Sequence, residues 1–198
     1  MKTLRQLLED LTDPRRDAML AIYDANRELF HHAKGSEFNH QAWKGGYADH
    51  IAETIRVNYV VWEALNAFRE LPFTRDQATI CLFLHDVEKP YRYGFNTHPE
   101  YAKFAHLRGM RRKRASTFGV RETEAEEWHE MQEVILNWWM DRFGFTLTGE
   151  ERNALKYAHG EGEDHVKFER VAGPLAAHVH HCDNTSARIY FADGEGTG

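Results

Sequence analysis

A chain of 198 residues is long enough for one domain with a sizeable core, and no shift in composition along it marks a second. Hydrophobic residues at 42%, charged residues at 28% and aromatics at 13%, five of them tryptophans among the rest, exclude an intrinsically disordered chain. The net charge of −6 argues against broad nucleic-acid affinity. No apolar run reaches the length of a membrane span and no signal-peptide pattern opens the sequence, so a cytoplasmic protein is expected. Cys81 and Cys182 stand far apart in apolar stretches and read as free thiols in a reducing compartment.

Period-2 alternation of β-branched residues is nearly absent, whereas helical periodicity and caps recur, so the fold class expected is all-α. Residues 1–193 are read as one domain and 194–198, rich in glycine, as a flexible tail. A short helix is expected near residues 4–11. A second should start with Asp13 as N-cap and Pro14 at the first helical position, and end at Gly35. After Gly45 and Gly46, the spacing of Ile51, Ile55, Tyr59, Trp62 and Leu65 predicts a long helix over residues 47–69.

Thr74 with Gln77 forms a capping box for the next helix, whose body, residues 78–84, is apolar nearly all round and therefore central; Pro90 should stop it. Residues 91–120 read as a long irregular excursion, a possible lid, carrying the basic run Arg108, Arg111, Arg112, Lys113 and Arg114. Capping boxes of Thr123 with Glu126 and Thr148 with Glu151 open the helices assigned to His129 and His159, and Pro174 opens the last. The stripe Trp128, Met131, Ile135 and Trp138 reads as core, with a partner surface the alternative, and oligomeric state stays open.

Four polar residues sit where the pattern is apolar. His85 and Asp86 end the most apolar helix, where a buried carboxylate costs several kcal/mol unless a cation meets it. Asp183 has Ala176, Val179, Ala187 and Tyr190 on its own helical face, and His50 shares its face with Thr54, Val57, Val61 and Ala64. Imidazole nitrogen with carboxylate oxygen suits Zn, Mn, Fe or Co, so convergence of these four would make an open metal site; the alternative is that core hydrogen bonds satisfy each one separately.

The segments Gly45-Gly46-Tyr47-Ala48-Asp49-His50, Leu84-His85-Asp86-Val87-Glu88-Lys89 and His181-Cys182-Asp183-Asn184-Thr185-Ser186-Ala187-Arg188 resemble, in motif, order and spacing, the HD-domain superfamily of metal-dependent phosphohydrolases. The resemblance covers roughly residues 39–190 and implies an all-helical HD-type fold with His50, His85, Asp86 and Asp183 as ligands of a divalent metal: Mn, Co, Mg, Zn or Fe. Where many members have glycine this chain has Glu88, which either moves protons or merely solvates the helix end; Lys89 keeps the position of the family lysine. Members that bind a second metal do so through two further histidines, a role that falls on His129 and His159 unless these are plain helix-surface residues. His31, His32, His40, His98, His106, His165, His178, His180 and His181 are read as mostly surface residues or as lying behind the site, His40 and His181 being nearest to motif residues.

The activity this implies is hydrolysis of a small phosphorylated substrate, a nucleotide mono- or triphosphate, by metal-activated water. Lys89 would stabilise phosphate charge, and Arg92 or the 108–114 run would hold further phosphates, if these are not simply surface charges. The acidic loop Glu161, Gly162, Glu163 and Asp164 reads foremost as a solvated turn. Three other readings stand beside this one: a 3′–5′ exonuclease-type phosphodiesterase, supported only by the basic run; a di-iron HD-fold oxygenase, which needs His129 and His159 as ligands; and a non-catalytic metal or nucleotide sensor.

Overall fold

The computed structural model describes residues 1–36, 40–93 and 121–189, with residues 121–130 and Glu163 described by their backbone alone. Helices follow in the order α1 (Leu4–Glu9), α2 (Arg16–Phe30), α3 (Gly46–Phe68), α4 (Arg75–Leu84), α5 (Lys89–Tyr93), α6 (Arg121–Phe143), α7 (Gly149–Lys156) and α8 (Pro174–Arg188), with a 3-10 turn at Gly162–Asp164. Among the described residues no strand forms; the extended pairing is one isolated bridge, Val166 with Glu169. The fold is all-α, as the periodicity indicates. No described helix is long and apolar enough to cross a membrane. The excursion with its basic run falls within residues 94–120, and the glycine-rich tail within 190–198; both lie outside the described residues.

Caps explain where several helices begin. The capping boxes at Thr74 and Thr148 are both formed, with Gln77 and Glu151 returning the bond, and a third at Thr3 with Gln6 opens α1. Pro174 occupies the first turn of α8, where its missing N–H costs nothing.

Other boundaries differ from expectation. Asp13 spends its carboxylate on the Arg15 amide at 2.8 Å and on the Arg15 guanidinium, so it closes a separate turn and α2 starts only at Arg16. That helix ends at Phe30, not at Gly35, whose lack of a side chain serves close packing instead: a Cβ there would lie 2.9 Å from the Cβ of Gln41. Pro90 does not stop α4, which already ends at Leu84; it sits in the first turn of α5, a position proline tolerates. The helix assigned to Thr123 is under way at Arg121, because the Arg-Glu pair before the threonine is itself helix-forming.

The site is positioned by α3, α4, α7 and α8, which pack most extensively against one another. Ile51 and Ile55 of α3, Ile80, Leu82, Phe83 and Leu84 of α4, Leu155 of α7 and Val179 of α8 are buried, each such side chain worth about 1.5–3 kcal/mol of transfer free energy. From the other side α2 and α6 close the core: Phe30 packs edge-on to Tyr47 and 6.1 Å from the Trp139 ring, and the Trp139 indole donates to Tyr91 Oη at 3.1 Å. Met131 and Ile135 are buried and Trp138 half-buried, so this part of the aromatic stripe is core. Both cysteines are free and buried, and burial raises both thiols, Cys182 to about 12.

Candidate metal centre

His50 lies one turn into α3, His85 caps the C-terminus of α4 with Asp86 just beyond, and Asp183 is in the middle of α8. Three helices therefore bring together four residues spread over 133 positions of sequence. His50, His85 and Asp86 are fully buried, and Asp183 is nearly so. His50 Nε2 stands 3.2 Å from Asp183 Oδ1 and 3.5 Å from Asp86 Oδ2; His85 Nε2 stands 3.1 Å from Asp86 Oδ2 and 3.5 Å from Asp183 Oδ1. His159, in the turn beyond α7, adds Nε2 at 3.2 Å from Asp86 Oδ1 and 4.0 Å from Asp183 Oδ2. Its side chain is 54% exposed, so it forms the open edge of the cluster.

Proximity alone does not satisfy these groups. His50 Nε2, His85 Nε2 and Asp86 Oδ1 are buried and take part in no hydrogen bond, while Asp86 Oδ2 meets the Lys89 ammonium. The hydrogen bonds made by the opposite ring nitrogens explain why. His85 Nδ1 lies 2.7 Å from the Leu82 carbonyl oxygen, which only accepts, so Nδ1 carries a proton and Nε2 is left to face Asp86 and Asp183. In the neutral ring that nitrogen would turn a lone pair towards carboxylate oxygens, an arrangement that is repulsive unless a proton or a metal ion lies between them.

Protons can meet this demand. Burial opposes charging of His85, but Asp86 and Asp183 overcome it and push the imidazole up to about 10. His159 is raised in the same way, by Asp86, against burial. Burial works against ionised Asp86 and Asp183 as well, yet the surrounding histidines, and Lys89 for Asp86, hold both carboxyls below the usual range.

A metal fits this place. Ligand atoms about 2.0–2.2 Å from one ion stand about 3.0–3.5 Å from each other, the spacing found here among His50, His85, Asp86 and Asp183. Donor atoms of His50, His85 and Asp86 all lie within 4.8 Å of one another, and so do those of His85, His159 and Asp183.

The remaining expected site residues divide. The Lys89 ammonium is ion-paired with Asp86 Oδ2, and its side chain is mostly buried. Glu88 is buried with Oε2 unpartnered, so it does not serve to solvate a helix end; burial first, then Asp86, raises its carboxyl. Arg92 is half-buried on α5, with its guanidinium 4.8 Å from the Tyr93 ring centroid. The side chain of His129 lies outside the described residues. In the acidic loop, Asp164 accepts from Tyr157 Oη and pairs with Lys156, while Glu161 accepts the Ala172 amide and pairs with His165, so these two carboxylates hold the turn.

Some residues were misplaced or missed. His178 is neither on the surface nor behind the cluster: it is buried in the core, with Nε2 2.7 Å from Asn58 Oδ1, because its face of α8 packs on α3 and α4. His40 is half-buried with its ring 5.1 Å from that of His50, and burial lowers it to about 4. Gln41, Glu53 and Ser186 surround the far side of His50. Glu53 follows His50 by three residues and Ser186 follows Asp183 by three, the helical spacing that could have drawn them out. A cavity of about 340 Å³ opens elsewhere, lined by Pro72, Phe73, Asn153, Val171, Pro174 and Leu175, and touches none of the cluster.

Fold and site thus define an all-α protein with a buried His/Asp cluster able to hold a metal ion. No family model matches the chain, and neither does any curated protein or solved structure.

Proposed function

We propose that the protein is a metal-dependent phosphohydrolase of the HD type, acting on a nucleotide mono- or triphosphate. The observation that carries this reading is the pair of unpartnered Nε2 atoms, of His50 and His85, converging with two buried carboxylates at the mutual spacing of ligands to one ion. His50, His85, Asp86 and Asp183 would hold the metal, Mn, Co, Mg, Zn or Fe. When bound, such an ion supplies Lewis acidity and water activation near neutral pH.

The chain's own groups then do the rest. Lys89, anchored on Asp86, keeps a positive charge beside the ligands where phosphate oxygens would gather, and Arg92, three residues along α5, would supply a second cation for the remaining phosphates. Glu88 offers a buried carboxyl for proton transfer, and His159 at the exposed edge meets the substrate first. The nearness of His159 to both aspartates also favours a second reading, a two-metal oxidative centre.

The test is phosphate or polyphosphate release from a nucleotide panel with Mn, Co, Mg and Zn, alongside His85→Ala and Asp86→Ala. Metal-dependent release abolished in both variants supports hydrolysis. Metal bound without release refutes it, and two irons per chain with oxygen consumption moves the assignment to the oxidative reading.

A further inference from the structure

Behind His50, on the side away from the cluster, three elements meet in a hydrogen-bond network that is buried except at the half-buried Glu53. Ser186 Oγ of α8 donates to Glu53 Oε2 of α3 at 2.7 Å; Gln41 Nε2 donates to the same carboxylate oxygen at 2.7 Å and to Ser186 Oγ at 3.3 Å. His50 Nδ1 lies 3.1 Å from Ser186 Oγ. Ser186 is fully buried and Gln41 nearly so.

The proton inventory of this network has one solution. An ionised carboxylate only accepts and an amide nitrogen only donates, so the single serine proton goes to Glu53 and one serine lone pair takes the Gln41 N–H. The remaining lone pair can only accept, and the donor facing it is His50 Nδ1. The ring is thereby fixed with its proton on Nδ1 and a free pair on Nε2, which faces Asp86 and Asp183.

The chain accepts strain to hold this network. Gln41 has φ +43, a left-handed backbone that costs a non-glycine residue about 1–2 kcal/mol. Its carbonyl accepts the Gly35 N–H at 2.9 Å, and a Cβ on Gly46 would come within 1.9 Å of that same oxygen. Gly46 therefore lets the loop press onto α3, and Gly45, at φ +85, turns the chain into the helix.

We propose that Glu53 and Ser186, held by Gln41, are positioning residues that lock His50 in the Nδ1–H tautomer and so present its Nε2 lone pair to a divalent metal. This rests on the metal-site reading of the cluster. His85 receives the same service from the Leu82 carbonyl, but a backbone acceptor cannot be altered by mutation, whereas the Ser186–Glu53 pair can.

The test uses Co²⁺ titration of chelator-stripped protein, followed by absorption, in wild type, Ser186→Ala and Glu53→Leu. Leucine at position 53 removes the acceptor of the serine proton, which then turns to His50 Nδ1 and reverses the ring. Both variants should bind Co²⁺ 10–100-fold more weakly, the effect expected of removing a ligand's orienting partner. In Co²⁺-loaded Ser186→Ala the shifted exchangeable N–H proton resonance of His50 should disappear into water exchange, a signature that loss of packing alone would not give. Thermal unfolding shows which variant is folded, and either folded one decides. Affinity within about threefold of wild type, or an unchanged His50 N–H resonance, overturns the positioning role and leaves the metal site standing. Wild-type protein that binds no Co²⁺ overturns both.

Discussion

Replacing Arg15 by methionine should destabilise the protein by about 3–5 kcal/mol although Arg15 is remote in sequence from every candidate ligand. Arg15 grips both oxygens of Glu151, Nη1 to Oε2 at 2.7 Å and Nη2 to Oε1 at 2.8 Å, and holds Asp13 through Nε at 2.8 Å and Nη2 at 2.7 Å. The Glu151 side chain has no exposure, so the change would strand a buried carboxylate with the Thr148 amide, at 2.8 Å, as its remaining hydrogen-bond partner in the cap. For a chain of this size each kcal/mol moves the midpoint by about 2–4 °C, so melting should fall by about 6–20 °C. Arg15→Met with Glu151→Met removes both charges and should recover most of the loss, apart from about 1 kcal/mol for the broken capping box at Thr148. Urea unfolding of the two single variants and the double gives the coupling. Destabilisation of Arg15→Met below about 1 kcal/mol, or strictly additive variants, would refute the reasoning.

His178 makes the core acid-sensitive. Burial, helped by His181, lowers it from the ordinary 6.5 to about 4, so the unfolded chain binds the proton more tightly and stability, full above pH 6.5, is lost as pH falls towards 4. The loss approaches about 3 kcal/mol, and His178→Gln should flatten that limb of the urea midpoint against pH; an equal acid loss in the variant contradicts the assignment. Gly46→Ala forces the Gln41 carbonyl to move by more than an ångström, and should cost about 1–3 kcal/mol in urea unfolding together with a weaker Co²⁺ affinity; wild-type values for both would show that the loop gives freely. Metal entering the cluster displaces the protons held by His85 and His159, so titration in buffers of different ionisation enthalpy should show proton release; enthalpies independent of buffer would contradict the charge state derived above.

The candidate metal cluster was legible because each of its members breaks an apolar helical face, and a buried charge on such a face demands a partner whatever the tertiary arrangement. The helices α3 and α8 were legible from local signals, apolar periodicity in one case and Pro174 in the other. What stayed hidden depends on contacts between distant parts of the chain. The Arg15–Glu151 pair joins residues 136 apart, and it is this pair, with Asp13, that explains why α2 starts late. His159 was picked out, but on a helix; it lies past the end of α7, where a loop rather than a helical face aims it at Asp86. Pro90 was misread because proline both ends helices and begins them, and only the turn at residues 85–88 distinguishes the two. Nothing in the order of residues announces the left-handed backbone of Gln41, which exists only because Gly35 and Gly46 make room for it.

The most direct test of the metal centre is the stoichiometry and affinity of divalent metal binding to chelator-stripped protein, in wild type and in His85→Ala, with thermal unfolding of both. The account predicts at least one tightly bound ion per chain, a rise in melting temperature worth about 2.7 kcal/mol at a hundredfold excess over Kd, and loss of both in the variant. Wild-type protein that neither binds nor is stabilised, or a folded His85→Ala that binds equally well, would contradict it.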